Sequence, residues 1–309
     1  MPELPEVETV RRRLAPVLEG RTLQGVTISD PRLTRPYDPD AVAAELQGER
    51  VAEVGRRGKY LLLRFASGRV LLVHLRMTGG FLLEPGLEAP GAEPPPGQKT
   101  GPPARPGGSH ERAVLELDDG ARVAYRDVRR FGTWLLLEPD EVDAYLAERL
   151  GEEPLDALFT VALLGERLAG RRAPVKAALL DQRTLAGMGN IYVDEALWRA
   201  RLHPLRAAET LDRNDLRRLH RAIRSALEAG IARQGSTLRD YRQPDGSAGS
   251  MQHEFKVYGR AGEPCDRCGT PIAKTRVGGR GTWFCPTCQA ARPSSSSSRP
   301  SRSSGQSSV

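Results

Sequence analysis

The sequence predicts an α+β protein of two domains: a β-sandwich or barrel that follows one helix, then a helical region closed by a small cysteine module. Three observations carry this expectation. Between Thr22 and about Leu137 short apolar runs are separated by tight turns; from Glu141 onward apolar residues recur at helical spacing; and all four cysteines fall within residues 265–288. A chain of 309 residues exceeds one average domain and can bury a sizeable core.

The elements follow in order. Residues 3–18 read as an amphipathic helix, with Leu4, Val7, Leu14 and Leu18 at helical spacing and Gly20 as the stop. KYLLLRF (59–65) and RVLLVHLR (69–76) flank a Ser67-Gly68 turn, and AVLELD (113–118) and ARVAYRD (121–127) flank Asp119-Gly120, a strong hairpin signal. No helix is expected among these strands, so a sandwich or barrel follows. Residues 85–110 hold fourteen Pro or Gly among 26 and read as a flexible excursion. EVDAYLAERL, ALFTVALLGERLAG and NIYVDEALWRA read as short helices. Leu216, Leu219, Ile223 and Leu227 make one face of a longer helix that Gly230 ends. Residues 235–251 read as a long polar loop, and ten serines among the last 17 residues predict a disordered tail.

Forty-six Lys and Arg against thirty-nine Asp and Glu give +7, which favours a polyanionic partner over an acidic one. Arg292, Arg299 and Arg302 place +3 of this in the tail. No run approaches eighteen apolar residues, which argues against a membrane span. The acidic opening MPELPEVETV does not read as a secretory signal. A cytoplasmic protein is expected.

Cys265-x2-Cys268 and Cys285-x2-Cys288 account for every cysteine. Each CxxC turn presents two thiolates to one ion, and two such turns close a tetrahedron that suits Zn²⁺. The alternatives are two disulfides or a redox CxxC; a reducing cytosol disfavours the first, and a redox motif does not come doubled at this spacing. One closed, structural zinc is expected, contributing folding energy and not catalysis. The intervening GTPIAKTRVGGRGTWF carries Lys274, Arg276 and Arg280 and no acid, which suits phosphate. A mere structural brace is the alternative.

Proline at position 2 permits removal of Met1, which would expose a secondary amine beside Glu3 and Glu6. Such an amine attacks carbonyl-like carbon and yields an iminium, an electron sink for elimination. Many chains begin Met-Pro without any such chemistry.

The opening PELPEVETV resembles that of the bacterial formamidopyrimidine-DNA glycosylases, also called 8-oxoguanine DNA glycosylases. GRRGKYLLL around Lys59, HLRMTG (74–79), DVRRFGTW (127–134), LAGMGNIYVDEALW (185–198) and the ending VYGRAGEPC…TWFCPTCQ (257–289) are similar to that family too. The resemblance spans nearly the whole chain in order, apart from 85–110 and the tail. It implies an N-terminal β-sandwich flanked by helices (1–138), a helix–two-turn–helix domain (139–234), a lesion-capping loop (235–252), a zinc ribbon (253–290) and a Ser/Arg tail (291–309). Damaged double-stranded DNA is implied to lie in a basic cleft between the domains, bound by a monomer associated with the nucleoid.

By the same resemblance Pro2 is the nucleophile at the sugar C1′ and Glu3 the carboxylate that protonates the sugar, with Glu6 in support. Without it, Glu3 is simply a helix N-terminal acid. Lys59 is implied to contact a phosphate and take part in acid–base steps; a solvated strand edge is the plain reading. His74 is implied to bind a phosphate, although a lone histidine in LLVHLRM is usually a satisfied core residue. Met77, Arg129 and Phe131 match an intercalating triad that fills the hole left by the extruded base, with Arg129 bonding the orphaned partner. As plain residues, Met77 and Phe131 belong to the core of their strands; the flanking Arg130 and Gly132 suggest a loop tip facing DNA. Lys176, Asn190 and Arg280 match phosphate-holding positions, Arg280 counting among the catalytic residues as well. Asn190 also reads as a helix N-cap, and Tyr192 as packing.

The implied activity is that of a bifunctional glycosylase that excises oxidised purines and then cleaves the strand by β- and δ-elimination. The sister group, endonuclease VIII-like enzymes acting on oxidised pyrimidines, opens with PEGPE where this chain has PELPE. A non-catalytic DNA-binding module predicts loss of Pro2, Glu3 or Lys59, all of which are present. A zinc-ribbon protein acting on RNA fits poorly with the intercalating triad.

Overall fold

The computed structural model describes residues 1–84, 110–238 and 241–291. The first helix, α1 (Leu4–Leu18), serves two cores. Val7, Val10, Leu14 and Leu18 point into the sandwich, while Leu4 packs with the helical domain. The first turn of α1, and with it the chain's N-terminus, therefore sits at the junction of the two halves.

After β1 (Leu23–Ile28) comes a helix that the sequence reading missed, α2 (Pro39–Leu46). The expectation of strands alone between Thr22 and Leu137 is corrected here, and the local signals explain why. Asp38 accepts the amides of Asp40 and Ala41 as N-cap, Pro39 fits the first turn, and Val42, Ala43 and Leu46 are buried on one face.

Seven further strands follow: β2 (Val51–Arg57), β3 (Tyr60–Phe65), β4 (Val70–His74), β5 (Gly79–Glu84), β6 (Glu111–Leu117), β7 (Arg122–Asp127) and β8 (Thr133–Leu137). They form two antiparallel four-stranded sheets, ordered β1-β6-β7-β5 and β2-β3-β4-β8. The unbroken apolar runs of β3 and β4 have a simple cause. Leu61, Leu63, Leu71 and Val73 face the sandwich core, while Leu62, Val70 and Leu72 lie under α3 (Val142–Arg149). A sheet covered on both faces needs no polar alternation.

The helical domain adds α4 (Val161–Leu168), α5 (Val175–Leu180), α6 (Asn190–Ala200) and α7 (Arg213–Ala232). Gly230 does not end α7, which continues to Ala232. A Cβ at Gly230 would lie 2.5 Å from the Tyr192 ring, so this glycine serves helix–helix approach. The chain turns at Gln234 and Gly235, both at positive φ. The hairpin β9 (Ala273–Val277) and β10 (Arg280–Phe284) closes the fold, its Gly278-Gly279 turn supplying the two left-handed residues such a turn needs.

Residues 85–109 of the expected excursion lie outside the described residues; its last residue, His110, is ordered, its carbonyl accepting the Asp127 amide at 2.9 Å. The expected disordered tail also lies outside them, apart from Ala291. Among the described residues no helix is long and apolar enough to cross a membrane.

Candidate active site

The N-terminus is held by the loop that precedes α6. The Leu4 amide donates to the Gly187 carbonyl at 3.1 Å. A Cβ at Gly187 would meet the Leu4 side chain at 2.6 Å, and one at Gly189 would lie 2.1 Å from the Glu3 carboxyl carbon. The glycines of Leu185-Ala-Gly-Met-Gly-Asn190 thus let the start of α1 lie directly on the start of α6.

Glu3 caps α1, and its side chain crosses to the N-terminus of α6. There it accepts the amides of Ile191 (3.0 Å) and Tyr192 (3.3 Å). A carboxylate in this place meets both unpaired N–H groups and the positive end of the helix dipole. Glu6, one turn on and 1% exposed, accepts the Glu3 amide (2.9 Å), the Tyr192 hydroxyl (2.8 Å) and the Ser236 amide (2.7 Å). Burial, followed by the Glu3 charge, pushes the Glu6 carboxyl up; these hydrogen bonds pull against it. Tyr192, read as packing, also bonds Glu6, and burial next to Glu6 drives its phenol well above the ordinary value. Pro2 is buried, and Met1, which still acylates its nitrogen, is exposed.

Lys59 enters from the sandwich. Gly58, at φ +57°, turns the chain between β2 and β3. Glu153 clamps this turn from the other domain, accepting the Gly58 amide (2.9 Å), Arg56 (2.7 Å) and Arg57 (2.9 Å). The Lys59 side chain is buried, not solvated. Burial lowers its pKa, Glu3 and Glu6 oppose that, and Arg280 adds to it, so four charged groups share one field.

Arg280 is exposed at the tip of the β9–β10 hairpin, and its neighbour Gly281 is pinned. The Gly281 carbonyl accepts Lys176 Nζ (2.9 Å) and Asn190 Nδ2 (3.0 Å). Lys176 pairs with Asp194 at 2.7 Å, both side chains fully buried, and Asp194 accepts the Trp283 amide at 3.1 Å. Burial pushes Asp194 up and Lys176 down; their mutual attraction opposes both shifts. Two expectations are corrected here. Lys176 lies too deep to hold a phosphate and acts as a strut under Arg280. Asn190 is the first residue of α6, whose N-cap is Gly189.

His74 ends β4 and is 8% exposed. Its Nδ1 accepts the Arg76 amide at 2.9 Å, and its ring meets Tyr60 edge-on. Burial, with Arg76 and Lys59 nearby, pushes it down to about 3, so at neutral pH the imidazole is uncharged with its proton on Nε2, a neutral donor.

Met77, Arg129 and Phe131 lie on two turns outside the strands, and Asp127 ties these together. Its buried carboxylate accepts the Thr78 hydroxyl, the Arg129 amide (3.2 Å) and the Gly132 amide (2.7 Å). Phe131 is 51% exposed, with the Arg129 guanidinium 4.7 Å from its ring centre. Arg130, whose presence beside Phe131 suggests a loop tip facing DNA, itself turns back onto Asp30 in a bidentate pair of 2.5 and 2.7 Å. Asp127, Glu153 and Asp30 were missed in the sequence because a lone acid carries no signal until its distant partners are known.

Between these groups lies a cavity of 840 Å³ lined by Pro2, Glu6, Met77, His110, Arg129 and Tyr241 among others. Residues of 235–252 form one wall and are docked there: Pro244 accepts the Leu83 amide at 2.8 Å, and Gln243 accepts Arg13 at 3.3 Å. At the far end no disulfide joins the four cysteines, and their sulfurs lie within 4.8 Å of one another, with contacts of 3.5 and 4.0 Å. Tetrahedral Zn–S bonds of ~2.3 Å place sulfurs ~3.8 Å apart, so the cluster fits one structural zinc and not a pair of disulfides. Trp198 donates its indole N–H to Cys265 Sγ at 3.4 Å.

Family models match the chain in three stretches: formamidopyrimidine-DNA glycosylase N-terminal domain over residues 1–134, the H2TH domain of the same family over 150–242, and a zinc finger found in FPG and IleRS over 262–291. The formamidopyrimidine-DNA glycosylase of Chloroflexus aurantiacus is 47% identical over 290 residues, 94% of this chain and 98% of that protein. The Lactococcus lactis Fpg in complex with abasic-site DNA superposes with TM-score 0.81 at 37% identity, covering 94% of this chain and all of that one. A MutM in complex with DNA containing carbocyclic 8-oxo-G gives 0.80 at 37% identity, with the same coverage.

Proposed function

The chain belongs to the formamidopyrimidine-DNA glycosylase family, and on that premise we propose that it is a base-excision-repair enzyme for oxidised purines, 8-oxoguanine and formamidopyrimidines, that also cleaves the abasic strand. The observation that carries this reading is the Glu3 carboxylate on the α6 amides, next to Pro2 and facing buried Lys59.

Once Met1 is removed, Pro2 is a secondary amine at the floor of the cavity. Turning the damaged nucleotide out of the duplex costs a few kcal/mol. Met77 and Phe131 offset this by filling the gap in the stack, and Arg129 bonds the unpaired base. The Pro2 nitrogen attacks C1′ as the glycosidic bond breaks and passes its proton to the Glu3 carboxylate, while the base leaves with the bonding pair and takes a proton from solvent. Glu3 then gives its proton to the ring oxygen as the sugar opens to an iminium. Loss of a C2′ proton then expels the 3′ phosphate, and a second elimination expels the 5′ phosphate. Lys59, whose pKa burial lowers, serves these proton transfers. His74, Asn190 and Arg280 hold the phosphates, and residues 235–252 cap the base. The zinc, held by Cys265, Cys268, Cys285 and Cys288, supplies folding energy to the ribbon that carries Arg280.

In this reading residues 1–138 are the catalytic unit, 139–234 the DNA-binding helical unit and 253–290 the ribbon. The enzyme works as a monomer on duplex DNA in the cytoplasm, on the nucleoid. The test is borohydride trapping with duplex DNA carrying 8-oxoguanine opposite cytosine. A covalent adduct that disappears when Met1 is retained is the expected result. An adduct only with an oxidised pyrimidine would shift the substrate class, and none with either would overturn the reading.

A further inference from the structure

Across Met77 from the large cavity lies a second cleft, of 610 Å³, whose lining includes Arg32, Arg35, Arg76, Met77 and Phe131. Two neighbouring arginines are spent on an acid: Arg130 and Arg112 both face Asp30. Arg32, Arg35 and Arg76 are exposed, and among the described residues none of them has a carboxylate within ion-pair distance. Three unpaired guanidinium groups around one concavity constitute an anion site.

The cleft is built on a rigid base. The Asp30–Arg130 pair and the Trp134 amide on the Leu33 carbonyl (2.7 Å) fasten the 30–35 loop to the turn that carries Phe131, and Leu33 is buried beneath. Arg76 holds φ +51°, a conformation that glycine adopts freely and other residues only with strain. Its backbone is fixed there by the bond to His74, which aims the side chain into the cleft next to Met77.

We propose that this cleft is a second phosphate site of the DNA interface, gripping the backbone of the strand opposite the extruded nucleotide. The inference rests on the function proposed above. The extruded nucleotide's strand occupies the side of the large cavity, and Met77 and Phe131 enter the stack between the strands. The cleft beyond them then meets the other backbone. Its arginines add affinity for duplex over single strand and set the register of the wedge.

The probe is a duplex carrying a stable tetrahydrofuran abasic site, with binding followed against salt. Each phosphate contact steepens the log–log salt slope by about 0.9. The double variant Arg35→Gln/Arg76→Gly is expected to flatten the slope by nearly two and to lose roughly a hundredfold in affinity near 0.1 M salt. Both sites are exposed, and glycine relieves the strain at 76, so folding is not at risk. Uncharged methylphosphonate linkages placed opposite the lesion should weaken the wild type similarly and the variant little further. An unchanged slope in the variant, or sensitivity only to neutral linkages in the lesion strand, overturns the proposal. Borohydride trapping of the wild type separates the two readings. An adduct with an unchanged slope sinks the cleft alone, whereas no adduct with an arginine-dependent slope sinks the catalytic reading and keeps the cleft.

Discussion

The groups around the N-terminus and the groups on the wedge are immobilised by opposite strategies. Glu3, Glu6 and Lys59 are buried, and the two carboxylates are held by hydrogen bonds from residues 186 to 230 positions away. Phe131 and Arg129 have side chains in solvent, and only their backbone is fixed, through Asp127. Reacting groups must arrive pre-positioned in a dry site, because reorganisation there would be added to the barrier. On the proposed reading Phe131 and Arg129 enter a base stack and must stay free until DNA arrives, so rigidity is invested one bond further back.

The sharpest test of that contrast is Glu3→Gln, which keeps the shape but removes the acid. Single-turnover excision should fall by roughly 10²–10⁴, while stability drops by only about 1 kcal/mol from the lost charge at the helix end. A loss below tenfold would break the comparison. Gly189→Ala should act through the same carboxylate without touching its chemistry. The added methyl meets the Glu3 carboxyl at 2.1 Å and displaces it. Destabilisation of about 1–3 kcal/mol by thermal melting should accompany slower excision.

On the wedge side, Phe131→Ala should weaken binding to lesion duplex several-fold and leave stability within about 0.5 kcal/mol, since the ring is half exposed. Asp127→Asn should instead lower the melting temperature, because the buried carboxylate accepts three donors. Equal melting curves for the two variants would blur the distinction. Arg280→Ala removes a cation that depresses Lys59, so the limb of the pH–rate profile that Lys59 sets should move to higher pH. The smallest effect concerns Glu8. Burial raises its carboxyl, but hydrogen bonds from Arg11 and Arg12 outweigh this and hold it at about 2. Its folded value lies below the ordinary 4.5, so its contribution is complete above pH 4.5 and is lost as pH falls through about 2. In acid titrations of stability, Glu8→Gln should flatten that window.

The strands and the longest helices were legible because their apolar residues repeat with the period of the element. The β3 and β4 runs, the Asp119-Gly120 hairpin and the face of α7 all read correctly in outline. Helix α2 was missed although Asp38-Pro39-Asp40 announces its start, because eight residues between strands show little periodicity. Gly230 was misread as a stop, since sequence does not distinguish a terminator from a glycine placed under Tyr192. Arg130 suggested a loop tip facing DNA and Lys176 matched a phosphate-holding position; that each is paired with an acid, Asp30 or Asp194, is invisible until the distant partner is found.

By itself, the sequence determined the fold class, the family and the zinc cluster, for these depend on local periodicity, on motifs in order and on two short CxxC turns. Only the tertiary structure decided which charges are spent inside the protein and which remain exposed. That difference is physical: a motif is written within a few residues, whereas an ion pair or a carboxylate on a helix end joins residues a hundred or more positions apart, and burial then sets whether the group is charged, neutral or out of reach.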